Sequence, residues 1–180
     1  MSSQPRPRIV VSRCLGFEAC RYDGELIKAP FVDTLKPFVD FITVCPEMGI
    51  GLGVPRHPIL LIQGAPGAEL GLVQPATGRV LGKEMRAFTA AFLEGLAEHG
   101  GVDGFILKSR SPSCGPGDCK IYSRPRDEEP TGLGWGLFAA LVKERFPDVP
   151  LLCEEELDDS AQQKRFLAQL VSLGRPGELE

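Results

Sequence analysis

The sequence lacks the long apolar runs of a membrane protein. No stretch approaches the ~20 consecutive apolar residues that a helix needs to cross a bilayer. Residues 1–7 are polar and broken by prolines, unlike the apolar core of a secretory signal. An excess of positive charge is also missing, because the formal net charge is −4 at pH 7, which argues against a dedicated nucleic-acid coat. We therefore expect a cytoplasmic protein with no membrane partner and no DNA partner.

The chain also lacks internal repeats, linkers and low-complexity segments. Its 180 residues, 43% of them hydrophobic, suit one domain with a sizeable core. We predict a single domain over residues 1–180, with its core at about 8–157 and a C-terminal helix and tail at 158–180.

Short apolar runs alternate with segments of helical periodicity. Strands are predicted at 8–12, 41–44, 58–63, 70–74, 105–107, 121–122 and 149–153, and helices at 31–40, 82–99, 135–146 and 157–173. Alternating strands and helices imply parallel pairing through right-handed crossovers. The predicted fold class is therefore α/β, with a mostly parallel, Rossmann-like sheet, flanking helices and a small β-hairpin insertion turning at 75–78. The glycine-rich segment 49–56 does not have GxGxxG spacing, so it does not support a dinucleotide site.

Six cysteines are the most informative feature of the composition. In a reducing compartment they indicate metal binding or catalysis more than disulfides. Cys14, Cys45 and Cys114 each lie at or just after the end of a predicted buried strand. Because the carboxyl ends of parallel strands share one edge of a sheet, these three thiols are expected to converge in space.

Three converging thiolates are compatible with several centres. They suit zinc completed by water or a fourth ligand, or an iron–sulfur cluster with one open iron; redox-active and inert thiols remain alternatives. Cys20 and Cys119 are candidates for a fourth ligand or for redox dithiol pairs, and Cys153 is expected to be packed in the core.

Polar residues next to the predicted thiol ligands are candidates for chemistry. Glu47 and Ser111 lie within three residues of Cys45 and Cys114, where a carboxylate and a hydroxyl suit proton transfer. The structural alternatives are a helix cap or ion pair for Glu47 and a turn hydroxyl for Ser111.

Charged residues near the same segments form a candidate substrate-binding set. It comprises Arg21, Asp23, Arg56 and Lys108. For the first three, the alternative is a role in tying loops together, for example through an Arg–Asp pair in the first loop. For Lys108, the alternative is an ordinary surface charge.

Three motifs, in order, resemble the thiouracil desulfurase family. They are CLG at 14–16 with RYDG at 21–24, VCPE at 44–47 with GLGVPR at 51–56, and LKSRSPSCG at 107–115. The resemblance continues through GWGLF at 134–138 and EEE at 154–156, and covers most of residues 8–157.

This resemblance implies a [4Fe-4S] cluster held by Cys14, Cys45 and Cys114, with one open iron. It implies a non-redox desulfuration in which the thiocarbonyl sulfur of a thiolated pyrimidine binds the unique iron, water attacks the carbon and sulfide leaves. Glu47 and Ser111 match the family's acid and serine, and we expect them to transfer the protons. Cys20 is not expected to be a ligand.

Two of the motifs, GIGLGVPR at 49–56 and GLFAA at 136–140, are closer to the module that some relatives fuse to a second domain. Those relatives resemble desulfidases of thiouridine in RNA. The expected partner is therefore a small 2-thiouracil-type base, a thiolated nucleoside or tRNA. Two alternatives without turnover are a zinc-binding or thiol-redox regulatory module and a cluster-bearing sulfur-transfer partner.

Overall fold

The computed structural model describes residues 6–172. Its strands are β1 (Arg8–Ser12), β2 (Asp40–Val44), β3 (Leu60–Ile62), β4 (Gly71–Gln74), β5 (Arg79–Val80), β6 (Gly104–Leu107), β7 (Cys119–Tyr122), β8 (Gly132–Gly134) and β9 (Leu151–Cys153). Its helices are α1 (Pro30–Leu35), α2 (Pro46–Gly49), α3 (Gly82–Glu98), α4 (Leu137–Arg145) and α5 (Ser160–Ser172), with a short 3₁₀ helix at Glu156–Asp158.

A four-stranded parallel sheet forms the centre of the fold. The strand order is β2-β1-β6-β9, and every neighbouring pair is parallel. Side chains alternate across it: Phe105 and Leu107 of β6 join one hydrophobic cluster, whereas Ile106 joins the other. The first cluster includes residues of α3 and α4, and the second includes residues of α1 and α5. The predicted parallel sheet with flanking helices is therefore confirmed.

A second sheet is larger than the predicted hairpin insertion. Its order is β5-β4-β3-β7-β8, with β3 and β7 parallel and the other pairs antiparallel. The hairpin itself is present as β4 and β5, and the strand predicted at 121–122 is β7, which lies inside this sheet between β3 and β8. The edge strand β8 was not predicted, because a glycine-rich segment has no side-chain alternation and pairs through its backbone.

Several helix boundaries differ from the prediction for local reasons. α1 ends at Leu35 and not at Asp40, because Pro37 has no N–H to continue the helix. Residues 156–158 form the 3₁₀ turn, so α5 begins only at Ser160; the predicted end of this helix at Leu173 lies outside the described residues. Between residues 6 and 172, no helix combines the length and apolarity required to cross a membrane.

Candidate active site

A cavity of about 360 Å³ lies where the parallel strands end. The last residues of β1 and β2, Ser12 and Val44, line it, as does Lys108 directly after β6. Ser12 joins two of these strand ends, because its Oγ accepts the backbone N–H of Lys108 at 2.9 Å. The cavity is thus formed by the carboxyl ends of three adjacent strands, where open α/β sheets bind ligands.

Four thiols line this cavity: Cys14, Cys20, Cys45 and Cys114. The structure therefore brings together the three cysteines that the strand ends were expected to gather, and adds Cys20 from the loop after β1. Cys119 lies in β7 of the second sheet, and neither it nor Cys153 lines the cavity.

Burial and hydrogen bonding determine the pKa values of these thiols. Burial raises the pKa of Cys14 to about 12 and that of Cys114 well above its ordinary value. Cys45 behaves differently, because a hydrogen bond from the Cys20 thiol favours its thiolate and lowers its pKa. When Cys45 is protonated, its Sγ instead donates to the carbonyl oxygen of Cys20, 3.8 Å away.

The donor set fits a thiolate-bound metal centre. Buried thiols such as Cys14 and Cys114 give up their protons when a metal ion compensates the charge. Thiolates from separate loops around one space are the ligands that iron–sulfur clusters use. Across residues 6–172, no three His, Cys, Asp or Glu side chains converge so as to hold a single metal ion. The four thiols instead line the wall of the cavity.

Glu47 lies in the first turn of α2, two residues after Cys45, and lines the cavity. Its side chain is only 13% exposed and is bonded on both oxygens. Arg56 donates from Nε to Oε2 at 2.7 Å, and Ser113 donates from Oγ to Oε1 at 3.0 Å. Two loops distant in sequence therefore meet at one carboxylate.

Ser111 lines the cavity from the loop after β6. Its Oγ accepts the backbone N–H groups of Ser113 at 3.2 Å and Cys114 at 3.0 Å. The hydroxyl therefore orders the turn that carries Cys114, and its own hydrogen can still be donated. Both roles considered for Ser111, turn hydroxyl and proton donor, are compatible with this geometry.

Each of the five cationic side chains lining the cavity has a carboxylate partner within 4.0 Å. The pairs are Arg13–Glu18, Arg21–Asp23 and Arg21–Glu25, Arg56–Glu47, Lys108–Glu154 and Arg110–Glu155. Arg21 and Asp23 thus form the loop-tying pair considered as the alternative to substrate binding, and Asp23 itself does not line the cavity. Arg56 also donates to the carbonyl oxygens of Cys20 and Gly53, so it connects three segments.

Two residues of this site were not singled out from the sequence. Ser113 is fully buried behind Glu47, and only its place in the SPSC motif distinguished it. Glu154 directly follows β9 and accepts from Lys108 Nζ, from the Ser109 N–H at 2.7 Å and from Ser109 Oγ at 2.8 Å. The strand-end position that identified the cysteines also applies to Glu154, and would have identified it.

Comparisons with known proteins show which proteins this chain is similar to. The sequence profile of the 2-thiouracil desulfurase family matches residues 9–156. The uncharacterized protein YbbK of Bacillus subtilis (strain 168) is 31% identical over 157 residues, which cover 84% of this chain and 98% of YbbK. Among solved structures, the [4Fe-4S]-dependent thiouracil desulfidase TudS matches with a TM-score of 0.67 and 26% identity, over 89% of this chain and 99% of the TudS chain.

Proposed function

The chain belongs to the 2-thiouracil desulfurase family, and we propose that it hydrolyses the thiocarbonyl group of a thiolated pyrimidine. The observation that carries this proposal is that Cys14, Cys45, Cys114, Glu47 and Ser111 line one cavity. The similarity to TudS, itself a [4Fe-4S]-dependent thiouracil desulfidase, supports the same cofactor here.

In this proposal Cys14, Cys45 and Cys114 hold a [4Fe-4S] cluster. They lie on three different loops that follow β1, β2 and β6, so the sheet fixes their relative positions. When bound, the cluster supplies an iron with an open coordination position, a Lewis acid for the sulfur of the substrate. Cys20 is assigned to the hydrogen bond with Cys45 and not to ligation.

Glu47 is the proposed general base. It is a carboxylate at the cavity surface, and its two protein donors leave lone pairs on both oxygens. A water molecule bonded to one of these lone pairs loses a proton to Glu47 as its oxygen attacks the carbon that bears sulfur.

Ser111 is the proposed hydrogen-bond donor to the substrate. Because its Oγ accepts two backbone N–H groups, its O–H is polarised and free to donate into the cavity. A donor at this position stabilises negative charge that develops on the pyrimidine as water attacks.

The overall reaction balances without any electron transfer. The thiocarbonyl compound and water give the corresponding carbonyl compound and hydrogen sulfide. A carbon–sulfur double bond is replaced by a carbon–oxygen double bond, and both protons of the water end on sulfur. Glu47 takes one proton as water attacks and returns it to the departing sulfide, and the second leaves the new hydroxyl group as the carbonyl forms. No oxidant or reductant is needed.

The three least exposed cations of the cavity are already paired and are not available to a phosphate group. Arg56 and Lys108 are committed to carboxylates on neighbouring loops, and Arg21 is bound by Asp23. Phosphate recognition generally uses cationic groups that are available to the ligand. We therefore propose a free base or nucleoside of the 2-thiouracil type, and assign Arg56 and Lys108 to holding loops.

The experiment is an anaerobic turnover assay with the reconstituted protein. It compares 2-thiouracil, 2-thiouridine, its 5′-monophosphate and thiolated tRNA, and measures the desulfurated product by chromatography. The proposal expects turnover of the base or the nucleoside, and slower turnover of the two phosphate-bearing substrates. If none of the four loses sulfur, the enzymatic function is wrong; if only tRNA reacts, the function stands but the substrate class is wrong.

The Cys20–Cys45 hydrogen bond favours one alternative, a thiol-redox module. That alternative predicts a colourless purified protein with a reversible Cys20–Cys45 disulfide. The desulfidase proposal predicts a brown protein with about four irons and four sulfides per chain after anaerobic purification.

A further inference from the structure

Two serines flank Pro112 in the loop after β6, and they occupy different environments. Ser111 lines the cavity, whereas Ser113 does not and is 0% exposed. The Ser113 hydroxyl meets Glu47 from behind, at 3.0 Å from Oε1. It therefore touches a group that reaches the substrate, without reaching the substrate itself.

We propose that Ser113 and Arg56 are positioning residues that hold the Glu47 carboxylate in the orientation from which it deprotonates water. This inference rests on the proposed function and deepens it. Each residue binds one carboxylate oxygen, and each comes from a different loop. Two donors on opposite oxygens fix the plane of the carboxylate. With a single donor, the carboxylate could still rotate about the hydrogen bond to that donor.

Ser113 is itself held firmly. Its backbone N–H donates to Ser111 Oγ at 3.2 Å, and its carbonyl oxygen accepts the Ala139 N–H at 3.1 Å from the start of α4. Gly136 allows this contact, because a Cβ at that position would lie 2.5 Å from the Ser113 carbonyl oxygen. The turn therefore packs directly on the helix start and presents the hydroxyl to Glu47 from a fixed point.

Arg56 is equally constrained. Its side chain is 4% exposed, and Nη1 donates to the carbonyl oxygens of Cys20 at 3.0 Å and Gly53 at 2.9 Å. Its backbone N–H also donates to the Tyr22 carbonyl oxygen at 2.9 Å. A guanidinium with these contacts acts on the reaction through Glu47, because it is not presented to the substrate as a free charge.

The test is a double-mutant cycle between Ser113→Ala and Glu47→Gln in the reconstituted protein. Single-turnover assays with enzyme in excess over 2-thiouracil allow very slow variants to be measured. Ser113→Ala is expected to keep its iron and sulfide, to change the half-saturating concentration less than about twofold, and to slow the reaction about tenfold or more. In the Glu47→Gln background the same change is expected to slow the reaction less than about twofold, because glutamine is not a base whose orientation matters.

Ser109→Ala provides a matched control. Ser109 is a buried serine of the same loop, but it donates to Glu154 and not to Glu47. Whatever its effect on rate, that effect should be the same in the unsubstituted chain and in the Glu47→Gln background. Arg56→Lys is the second variant of the proposal; it should also lose its effect in the Glu47→Gln background, and it tests the proposal if Ser113→Ala fails to fold.

Three results would overturn the proposal: an equal rate loss for Ser113→Ala in both backgrounds, loss of the cluster from Ser113→Ala, or a change confined to substrate affinity.

A readout independent of turnover separates this proposal from the proposed function. In the cluster-free chain, Ser113→Ala should lower Tm more when residue 47 is glutamate than when it is glutamine, because hydrogen bonds to an ionised acceptor are stronger. Equal Tm losses would exclude the bond even if no substrate is ever turned over.

Discussion

Lys108 and Glu154 form an ion pair that joins the loop after β6 to the end of β9. Their side chains are only 16% and 11% exposed, and the same carboxylate also accepts two hydrogen bonds from Ser109. The loop that carries Ser111 and Cys114 is thus anchored to the edge strand of the parallel sheet. Arg110 of the same loop pairs with Glu155, but this second pair lies largely in solvent.

The first prediction compares these two neighbouring ion pairs. Glu154→Gln leaves Lys108 without its anionic partner in a mostly buried site, which should lower the free energy of unfolding by about 3 kcal/mol, or roughly 6–12 °C in Tm. Glu155→Gln is the matched control and should cost less than about 1 kcal/mol, because exposed pairs are screened by water. Thermal unfolding of the cluster-free chain measures both, and similar losses for the two variants would contradict the anchoring role of Glu154.

The second prediction concerns the cluster ligands. Serine in place of Cys14, Cys45 or Cys114 should prevent retention of iron and sulfide after anaerobic reconstitution, since each removes one of three ligands. Cys20→Ser and Cys119→Ser are the controls, and both should keep about four irons per chain. Retention in Cys45→Ser, or loss in Cys119→Ser, would show that the ligand set is wrong.

The third prediction uses the different protonation of the thiols. Iodoacetamide reacts with thiolates, and burial raises the pKa of Cys119 and Cys153 to about 12, so both stay protonated at pH 8. Cys45 is less buried and has a lowered pKa, so in the cluster-free chain it should be labelled first, and faster as pH rises from 6 to 8.

Peptide mass mapping over time follows this labelling residue by residue. In urea all six cysteines should react, which shows that every peptide can be detected. Labelling of Cys119 or Cys153 as fast as Cys45 in the folded chain would contradict the burial and protonation described for them.

The fourth prediction tests Glu47 as the general base. Glu47→Gln preserves the shape of the side chain and its hydrogen-bond acceptor but removes the base, so the cluster should remain while kcat falls by about 10²–10⁴-fold. Glu98→Gln, at the exposed end of α3, controls for the loss of one negative charge. Full activity in Glu47→Gln would leave Glu47 with only its structural role as the partner of Arg56.

Local sequence patterns predicted the part of the site that follows strand ends. Cys14, Cys45 and Cys114 could be placed together because β1, β2 and β6 are short, apolar and parallel, so their carboxyl ends share one edge. The polar contacts between distant segments could not be predicted in the same way: the hydrogen bond between Ser113 and Glu47 spans 66 positions, and the ion pair between Lys108 and Glu154 spans 46. Such partners are determined by loop conformation, which has no periodic signal in the sequence.

The second sheet shows the same limit in the fold. β4 and β5 were predicted from their turn, because a hairpin is a local structure. The pairing of β3 with β7 joins residues about 60 positions apart, and β8 consists of Gly132, Leu133 and Gly134, which carry almost no strand signal. Long-range pairing therefore produced the architecture that local patterns did not indicate.

The most direct test of the central claim is the product balance of a single anaerobic reaction. The reconstituted protein is incubated with 2-thiouracil in the absence of any electron donor or acceptor, and uracil and sulfide are both quantified. A hydrolytic desulfidase predicts equal amounts of the two products, exceeding the amount of enzyme, and none from the Cys114→Ser variant. No uracil, or uracil only when a reductant is supplied, would contradict the function proposed for this protein.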